Sequence, residues 1–198
     1  MGAVRGRVPR GSAHGPILFA EAYPIVEHLW VGLAELHGAG GTHDEIALRG
    51  VFLERRPEGA TRARLHAFPV ARWPEGPLAL NPDPDEIVSR RMALLPPERI
   101  QSSKAASPRS DVYACTTVIY TALSNELPHP ARNILELVER KAAEDPRPLA
   151  VALGRPVAPA LERFLARGLA RRPEDCFPSA IEALDAWHAL RGVAAGDA

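Results

Sequence analysis

The sequence predicts a mainly α-helical domain that carries one small β-hairpin. Four segments place apolar residues at every third or fourth position, which is the spacing of one face of an amphipathic helix. A fifth segment, Val112 to Leu123, is apolar nearly all round and predicts a helix that is buried on all sides. Two short apolar runs, Thr42 to Leu53 and Ala63 to Val70, flank the turn-forming residues Pro57 and Gly59, so we expect them to pair as a hairpin.

The composition is ordinary for a soluble globular protein. The chain has 198 residues, of which 46% are hydrophobic and 24% are charged, and its formal net charge is +0. This length is sufficient for one domain with a substantial core, and the balanced charge favours neither nucleic acid nor a membrane as a partner. No apolar run reaches the ~18 residues of a membrane-spanning helix. Cys115 and Cys176 show no disulfide or metal-ligand spacing, and we expect a cytoplasmic location.

The first half of the chain is predicted to begin with a flexible tail, because residues 1–15 are rich in Gly and Arg and lack periodicity. A helix follows from Ala20 to His37, and Gly38 is predicted to end it. Beyond the hairpin, the segment from Trp73 to Leu95 contains several prolines around an acidic centre. This composition is typical of a long irregular loop.

The second half is predicted to be helical almost throughout. Ser110 and Asp111 precede the buried helix as expected cap residues. Ser179, followed by Glu182 three residues later, has the spacing of a capping box that opens the last helix. Residues 193–198 are expected to form a second tail. The amphipathic helices between these points are predicted at Asn133 to Ala143 and Pro159 to Ala170.

Four motifs along the chain carry a resemblance to a known family. They are Leu33-Ala-Glu-Leu-His37-Gly-Ala-Gly40, Leu94-Leu-Pro-Pro-Glu98, Ser110-Asp-Val-Tyr-Ala and the segment from Leu165 to Ala180. The same order is found in the large, C-terminal lobe of bacterial eukaryotic-like serine/threonine protein kinases, which the chain resembles from about Pro16 to Gly192. The resemblance implies a kinase C-lobe-like helical domain over residues 16–192.

The small, N-terminal lobe of such kinases is expected to be absent. Only about 15 residues precede the first predicted helix, and the sequence contains no Gly-x-Gly-x-x-Gly motif. A start codon assigned too far downstream would give the same appearance.

The catalytic positions of the family are changed in this chain. The family's catalytic loop reads His-Arg-Asp-Leu-Lys-Pro-x-Asn, and the same frame begins here at His43. It replaces the catalytic base by Glu45, the phosphate-contacting lysine by Ala47 and the metal-binding asparagine by Gly50. The Asp-Phe-Gly metal motif falls on Ala67-Phe68-Pro69. Because phosphoryl transfer needs neutralised phosphate charge and magnesium needs oxygen ligands, the resemblance implies an inactive domain without a nucleotide or metal cofactor.

Three motif positions are expected to have structural roles. Asp111 matches the family aspartate that accepts hydrogen bonds from backbone N–H groups of the catalytic loop. His43 is expected to be a packed structural histidine, and no third ligand lies at a suitable spacing for it to join a metal site with His37 and Asp44. Thr116 replaces a family glycine in the central helix, so the packing there is expected to differ.

Glu98 matches a family glutamate that pairs with a buried arginine, but the position of that arginine holds Cys176. A buried carboxylate that has lost its partner costs ~3–5 kcal/mol. We therefore expect that another arginine, for example Arg171 or Arg172, reaches Glu98, or that Glu98 is exposed.

We interpret the chain as a pseudokinase, that is, a regulatory or scaffolding module whose partner is an active kinase or a second copy of itself. The expected contact surfaces are the face around Phe68 and Pro69 and the groove beside Asn133 to Ala143. The alternative is an atypical or truncated serine/threonine kinase that uses ATP with Glu45 as base and an N-lobe supplied in trans or by a longer reading frame. A third alternative is a decayed gene product that keeps only its fold.

Overall fold

The computed structural model describes residues 5–7, 16–47, 50–55, 61–65, 92–101 and 106–196. The helices in these ranges are α1 Phe19–Gly38, α2 Pro97–Gln101, α3 Pro108–Ser124, α4 Ile134–Ala143, α5 Leu149–Leu153, α6 Pro159–Gly168, α7 Ala180–His188 and α8 Arg191–Gly196, with a 3-10 turn at Pro173–Asp175. The predicted mainly helical fold class is confirmed. None of the described helices combines the length and the apolar character required to cross a membrane.

The strands β1 Arg5–Arg7, β2 Val51–Arg55 and β3 Thr61–Leu65 form one antiparallel sheet in the order β1-β2-β3. In its register Leu53 of β2 lies opposite Gly6 on one side and Ala63 on the other. The amide of Ala63 also donates to Nδ1 of His28 on α1 at 3.4 Å, which fixes the sheet beside that helix. The predicted hairpin is confirmed as β2 and β3.

The predicted strand bounds were wrong at the start of the hairpin. Residues 42–47, assigned to the first strand by their apolar pattern, form no strand, because the amides of His43 and Asp44 donate to a side chain of α3 instead of to a neighbouring strand. β3 ends at Leu65, and the rest of the predicted second strand, 66–70, lies outside the described residues.

Parts of both expected tails belong to regular structure. Arg5–Arg7 pair with β2, and α8 includes residues 193–196. The remainder of segments 1–15 and 193–198 lies outside the described residues. So does the predicted irregular loop from Trp73 to Leu95, apart from residues 92–95, of which 92–94 are helical.

Helix α1 agrees with its predicted bounds to within one residue at each end. Its buried face includes Val26, Leu29, Trp30 and Leu33, which follow the three-and-four spacing read from the sequence. The chain turns at Gly40, whose φ of +79° lies in the left-handed region that glycine adopts without steric cost. Gly40 therefore provides the turn that we predicted for Gly38.

Helix α3 occupies the centre of the domain and is buried along almost its whole length. It begins four residues before the predicted Val112, because Ser107 is the N-cap and its hydroxyl accepts the amide of Ser110, whose own hydroxyl accepts the amide of Ser107. Ser110 is thus the third helical residue of a capping box. Asp111, predicted as a cap residue, instead lies in the first turn and directs its carboxylate away from the helix end.

The cap of α7 is also simpler than predicted. The hydroxyl of Ser179 accepts the amide of Glu182 at 3.4 Å, as expected for an N-cap. The carboxylate of Glu182 lies 3.6 Å from the guanidinium of Arg167 on α6. The Glu182 carboxylate therefore pairs with a neighbouring helix. In the predicted capping box it would instead have accepted the backbone amide of Ser179.

An aromatic cluster joins α1, α6 and α7 beneath the buried helix. Trp187 stacks on Tyr23 at a centroid distance of 5.4 Å and meets Phe164 edge-on at 5.1 Å. Its indole N–H donates to the carbonyl of Tyr23 at 3.2 Å, so the one polar atom of this fully buried side chain is satisfied. Trp30 also meets Phe164 edge-on, at a centroid distance of 6.0 Å.

Helices α3 and α6 approach closely where Thr116 meets Gly168. A Cβ atom at position 168 would lie 2.3 Å from Oγ1 and 2.8 Å from Cγ2 of Thr116. Thr116 is fully buried and its hydroxyl donates to the carbonyl of Val112 at 2.8 Å, which limits its freedom to move aside. The packing at Thr116 therefore differs as expected: the space for its side chain is left by Gly168 on the facing helix.

We predict that Gly168→Ala lowers the free energy of unfolding by about 1–3 kcal/mol, because the added methyl group overpacks the contact with Thr116. Thr116→Ala removes the clashing Oγ1 and Cγ2 atoms, so the double variant should recover part of that loss. Urea denaturation of both single variants and the double variant measures this coupling. Gly192→Ala, where a Cβ meets nothing within 4 Å, is the matched control. Additive effects of the two changes would contradict the contact.

Candidate functional site

The candidate site is the loop from His43 to Gly50, which connects the end of α1 with β2; the structure describes its residues 43–47 and 50. The carboxylate of Asp111 on α3 holds the start of this loop. Its Oδ2 accepts the amide of His43 at 2.6 Å and its Oδ1 accepts the amide of Asp44 at 2.8 Å. These are the backbone contacts that the resemblance implies for Asp111.

His37 at the end of α1 makes the third contact with this carboxylate. Its Nε2 lies 3.1 Å from Oδ2 of Asp111, and its Nδ1 accepts the amide of Ala180 at the start of α7. Because Nδ1 accepts a hydrogen bond, the ring hydrogen is on Nε2 and is donated to the carboxylate. His37 and Asp111 thereby connect α1, α3, α7 and the loop through buried side chains.

The positions that contact phosphate and metal in kinases have few side chains that could do so here. Glu45 and Ala47 are half-buried and Gly50 is buried, with its amide donating to the carbonyl of Ala47 at 2.8 Å. Ala47 and Gly50 have no side-chain oxygen or nitrogen. Ala67, Phe68 and Pro69 lie outside the described residues. Among the residues that are described, no group of three or more His, Cys, Asp or Glu side chains is arranged to hold a metal ion.

His43 is half-buried, and its Nδ1 atom has no hydrogen-bond partner within the described part of the chain. The contact that positions this residue is made by its backbone amide and not by its ring.

Asp44 forms an ion pair that sequence reasoning missed. It stands where the family motif has an arginine, and its carboxylate pairs with the guanidinium of Arg99 on α2. Its φ of +63° is in the left-handed region, which aspartate tolerates better than most residues. The pair attaches α2 to the loop. The replacement of a cation by an anion at position 44 was the signal in the sequence that pointed to a cationic partner.

Glu98 on α2 is half-buried, and the arginines that we expected to reach it are directed elsewhere. Arg171 donates to the carbonyl of Ala143 at 2.8 Å, and Arg172 donates to the carboxylate of Glu174 at 2.6 Å. Both guanidinium groups therefore bond to acceptors other than Glu98, and the expectation that another arginine reaches Glu98 stays a prediction.

Cys176, at the position of that lost arginine, is buried, and its Sγ lies 3.5 Å from the carbonyl oxygen of Gly168. Burial raises the pKa of this thiol to about 12, and the negative charge of Glu98 acts in the same direction. Cys176 is therefore a neutral packing residue. A guanidinium still lies close by, because Arg109 donates to the carbonyls of Pro173 and Cys176 at 3.2 and 3.5 Å.

The cation buried near Glu98 is Lys141 on α4, which the sequence analysis did not single out. Lys141 is 2% exposed, and its ammonium donates to the carbonyls of Met92, Ala93 and Leu95 at 3.2, 2.7 and 2.6 Å. It also lies 4.8 Å from the centroid of the Tyr113 ring. Its position seven residues after Ile134, on the apolar face of the predicted helix, was the available signal.

Lys141 therefore fixes the segment immediately before α2 to α4 and α3. Burial lowers the pKa of its ammonium from 10.5 to about 7, although the charge of Glu98 opposes this shift. Between those two values the unfolded chain binds more protons than the folded chain. The contribution of Lys141 to stability consequently rises as the pH increases from about 7 to about 10.

Comparison with known proteins identifies serine/threonine-protein kinases as sequence relatives, although no family model matches the chain. Over 151 residues it is 30% identical to the serine/threonine-protein kinase pkn2 of Myxococcus xanthus, covering 76% of this chain and 17% of that protein. Over 189 residues it is 27% identical to the serine/threonine-protein kinase PknE of Mycobacterium tuberculosis, covering 92% of this chain and 31% of that protein. The chain thus spans less than a third of the length of each of these two relatives.

Solved structures with a similar fold are also kinase domains. The Rad53 kinase domain with SCD2, in complex with AMPPNP, matches with a TM-score of 0.65 and 17% identity over 88% of this chain and 61% of that chain. The same kinase domain with SCD2 alone gives a TM-score of 0.68 over 88% and 59% of the two chains. The resemblance to the C-terminal region of a protein kinase is therefore confirmed, as is the kinase-like helical fold.

We predict that Lys141 titrates well below an ordinary lysine, with a midpoint near pH 7. The chain contains only two lysines, Lys104 and Lys141. NMR of protein labelled at the lysine ε-carbon should therefore give two signals, which Lys104→Met and Lys141→Met assign. The free energy of unfolding of the wild type, relative to Lys141→Met, should rise by at most ~1.4 kcal/mol per pH unit between pH 7 and 10. If both signals titrate near pH 10, the ammonium of Lys141 is not buried with a lowered pKa, and the prediction is wrong.

Proposed function

Because this chain is a relative of the bacterial serine/threonine protein kinases and matches their C-terminal kinase region, we propose that it is a catalytically inactive, kinase-like module that works by binding another protein. The observation that supports this most directly is the state of the loop from His43 to Gly50. Asp111 holds its backbone at 2.6 and 2.8 Å, while positions 47 and 50 carry no side chain that could contact phosphate or metal.

The chemical argument rests on what phosphoryl transfer requires. Catalysis of this reaction is almost entirely positioning and neutralisation of phosphate charge by magnesium and a cationic side chain. Magnesium takes hard oxygen ligands; Gly50 offers no side-chain oxygen, and Ala47 supplies no cation. Glu45 can accept a proton, but general base catalysis alone contributes ~10²–10⁴ in rate. It leaves the charge on the transferring group unneutralised.

The proposed protein contact is made on the surface beside α4. Leu135 on this helix is 68% exposed, the largest exposed fraction among the large apolar side chains described. The opposite face of α4 is held rigidly by buried Leu137 and Lys141. A fixed helix that presents an apolar side chain is suited to contact a partner surface. The partner we propose is an active kinase or a second copy of this chain; a solved structure of the similar Rad53 kinase domain also contains SCD2.

An active kinase is the competing proposal, because the relatives are named as serine/threonine kinases. In that case Glu45 is the base, and nucleotide and magnesium are bound with help from protein outside this chain. The two proposals make opposite predictions about the chain joined to a kinase small lobe.

We predict that millimolar magnesium and ATP leave the unfolding temperature of the protein unchanged, since a ligand stabilises only the state that binds it. We also expect no transfer of labelled phosphate to the chain itself or to a general substrate protein. Both assays are repeated after fusion to the small lobe of an active bacterial kinase, and the intact kinase is the positive control.

A thermal shift or phosphate transfer that is present in the fusion and lost in its Glu45→Gln variant would contradict inactivity. Phosphate transfer that persists in the Glu45→Gln variant reports contaminating kinase in the preparation. The contaminating kinase would be removed before the assay is evaluated. The difference between the wild-type fusion and its Glu45→Gln variant then decides whether the chain is active.

A further inference from the structure

The side of the β-sheet that is turned away from the core carries a cluster of basic residues. Successive residues of a strand point to opposite sides of a sheet. Val51 of β2 and Ala63 of β3 are buried in the core, at 4% and 3% exposure, and they define the inner side. The residues of these two strands that point the other way are Phe52, Glu54, Arg62 and Arg64. The phenylalanine is half-buried, and the three charged residues are exposed.

Strand β1 adds two arginines to this side of the sheet. In the register, Arg5 lies opposite Glu54 and Arg7 lies opposite Phe52, and residues directly opposite each other in antiparallel strands share a face. We call the six residues of this side the outer face. It contains four arginines and one glutamate, an excess of three positive charges, in a chain whose formal net charge is +0. The positive charge is therefore a local property of the sheet.

The charge of the outer face is only partly neutralised within the chain. A carboxylate oxygen of Glu54 lies 3.5 Å from the guanidinium of Arg64, and the two side chains are 56% and 55% exposed. An ion pair this exposed contributes little to stability, so another carboxylate can replace it. Arg62 forms neither an ion pair nor a side-chain hydrogen bond within the described part of the chain.

The order of the residues across the three strands defines the partner that fits. One row of the outer face reads Arg7, Phe52, Arg64. Neighbouring strands lie ~4.8 Å apart, so the two arginine positions are ~10 Å apart with the aromatic residue between them. In an extended segment, residues i, i+2 and i+4 share one side and span ~13 Å. A segment with the order acidic–x–apolar–x–acidic matches this row, because the length of glutamate and arginine side chains covers the difference.

We propose that the outer face of the sheet binds an extended acidic segment of a partner protein, in which two carboxylates flank one apolar residue. The carboxylates pair with arginines, and the apolar side chain packs on Phe52. A nucleic acid fits less well, because its charges are continuous and the outer face includes Glu54. The outer face shares no residue with α4, so this inference is tested independently of the contact proposed there.

Three blocked peptides of one length separate the contributions. Glu-Ser-Leu-Ser-Glu has both carboxylates and the apolar residue; Glu-Ser-Ser-Ser-Glu lacks the apolar residue; Lys-Ser-Leu-Ser-Lys reverses the charge. In NMR titrations of the whole chain at low salt, we expect saturable binding in that order, with the amide signals of Phe52 and Ala63 shifting and that of Leu165 unchanged. Affinity should fall as salt is added, because the pairing charges are exposed.

Variants separate the outer face from the charge of the whole chain. Arg62→Gln/Arg64→Gln should weaken binding of Glu-Ser-Leu-Ser-Glu by about three- to thirtyfold, the effect of losing two exposed ion pairs. The matched control, Arg155→Gln/Arg163→Gln, removes the same charge at two exposed arginines outside the sheet and should leave the affinity unchanged. Glu54→Gln should tighten binding by about two- to fivefold, because it removes a like charge. A folding defect cannot produce that gain.

The proposal is overturned if Glu-Ser-Leu-Ser-Glu does not bind saturably at millimolar concentration, or if either of the other two peptides binds equally well. It is also overturned if the two double variants lose affinity to the same extent. A single-stranded oligothymidylate is titrated beside the peptides. If it binds more tightly and displaces the acidic peptide from the same amides, the outer face is a nucleic-acid site and the proposal is wrong.

Discussion

The carboxylate of Asp111 is the contact on which the candidate site depends. It lies in the first turn of the buried central helix, yet it accepts the amides of His43 and Asp44, which precede it by 68 and 67 residues, and the ring of His37. A buried carboxylate is tolerated only when its oxygens are hydrogen-bonded. Asp111 therefore needs its three donors, and the two loop amides and the His37 ring need Asp111 as their acceptor. The shape of the loop is therefore set by backbone groups.

Two departures from the kinase pattern are each matched by a nearby residue. Asp44, in place of an arginine, pairs with Arg99, and Thr116, in place of a glycine, faces Gly168. Such matched changes keep the loop against α2, and α3 against α6, while the phosphate-handling side chains are replaced. This combination supports a domain that functions by presenting surfaces, and it is difficult to reconcile with a decayed gene product.

The helices could be predicted from the sequence because their apolar spacing reflects a single buried face, as in α1, or burial all round, as in α3. The loop from Thr42 to Ala47 could not, since its amides bond to a side chain far away in sequence and an apolar run alone does not reveal this. The Asp44–Arg99 pair and the carbonyl cage around Lys141 were missed for the same reason. The resemblance indicated which position Asp111 would hold, but it did not point to the buried Lys141, which lies on another helix.

The most direct test of the account is the hydrogen exchange of the His43 and Asp44 amides, measured by NMR in the wild type and in Asp111→Asn. If the carboxylate holds the loop, both amides exchange in the wild type only through global unfolding. In the variant they exchange through local opening, orders of magnitude faster, while the amide of Leu165 in the core still follows global stability. Wild-type exchange at His43 and Asp44 as fast as in an unstructured peptide would show that Asp111 does not fix the loop.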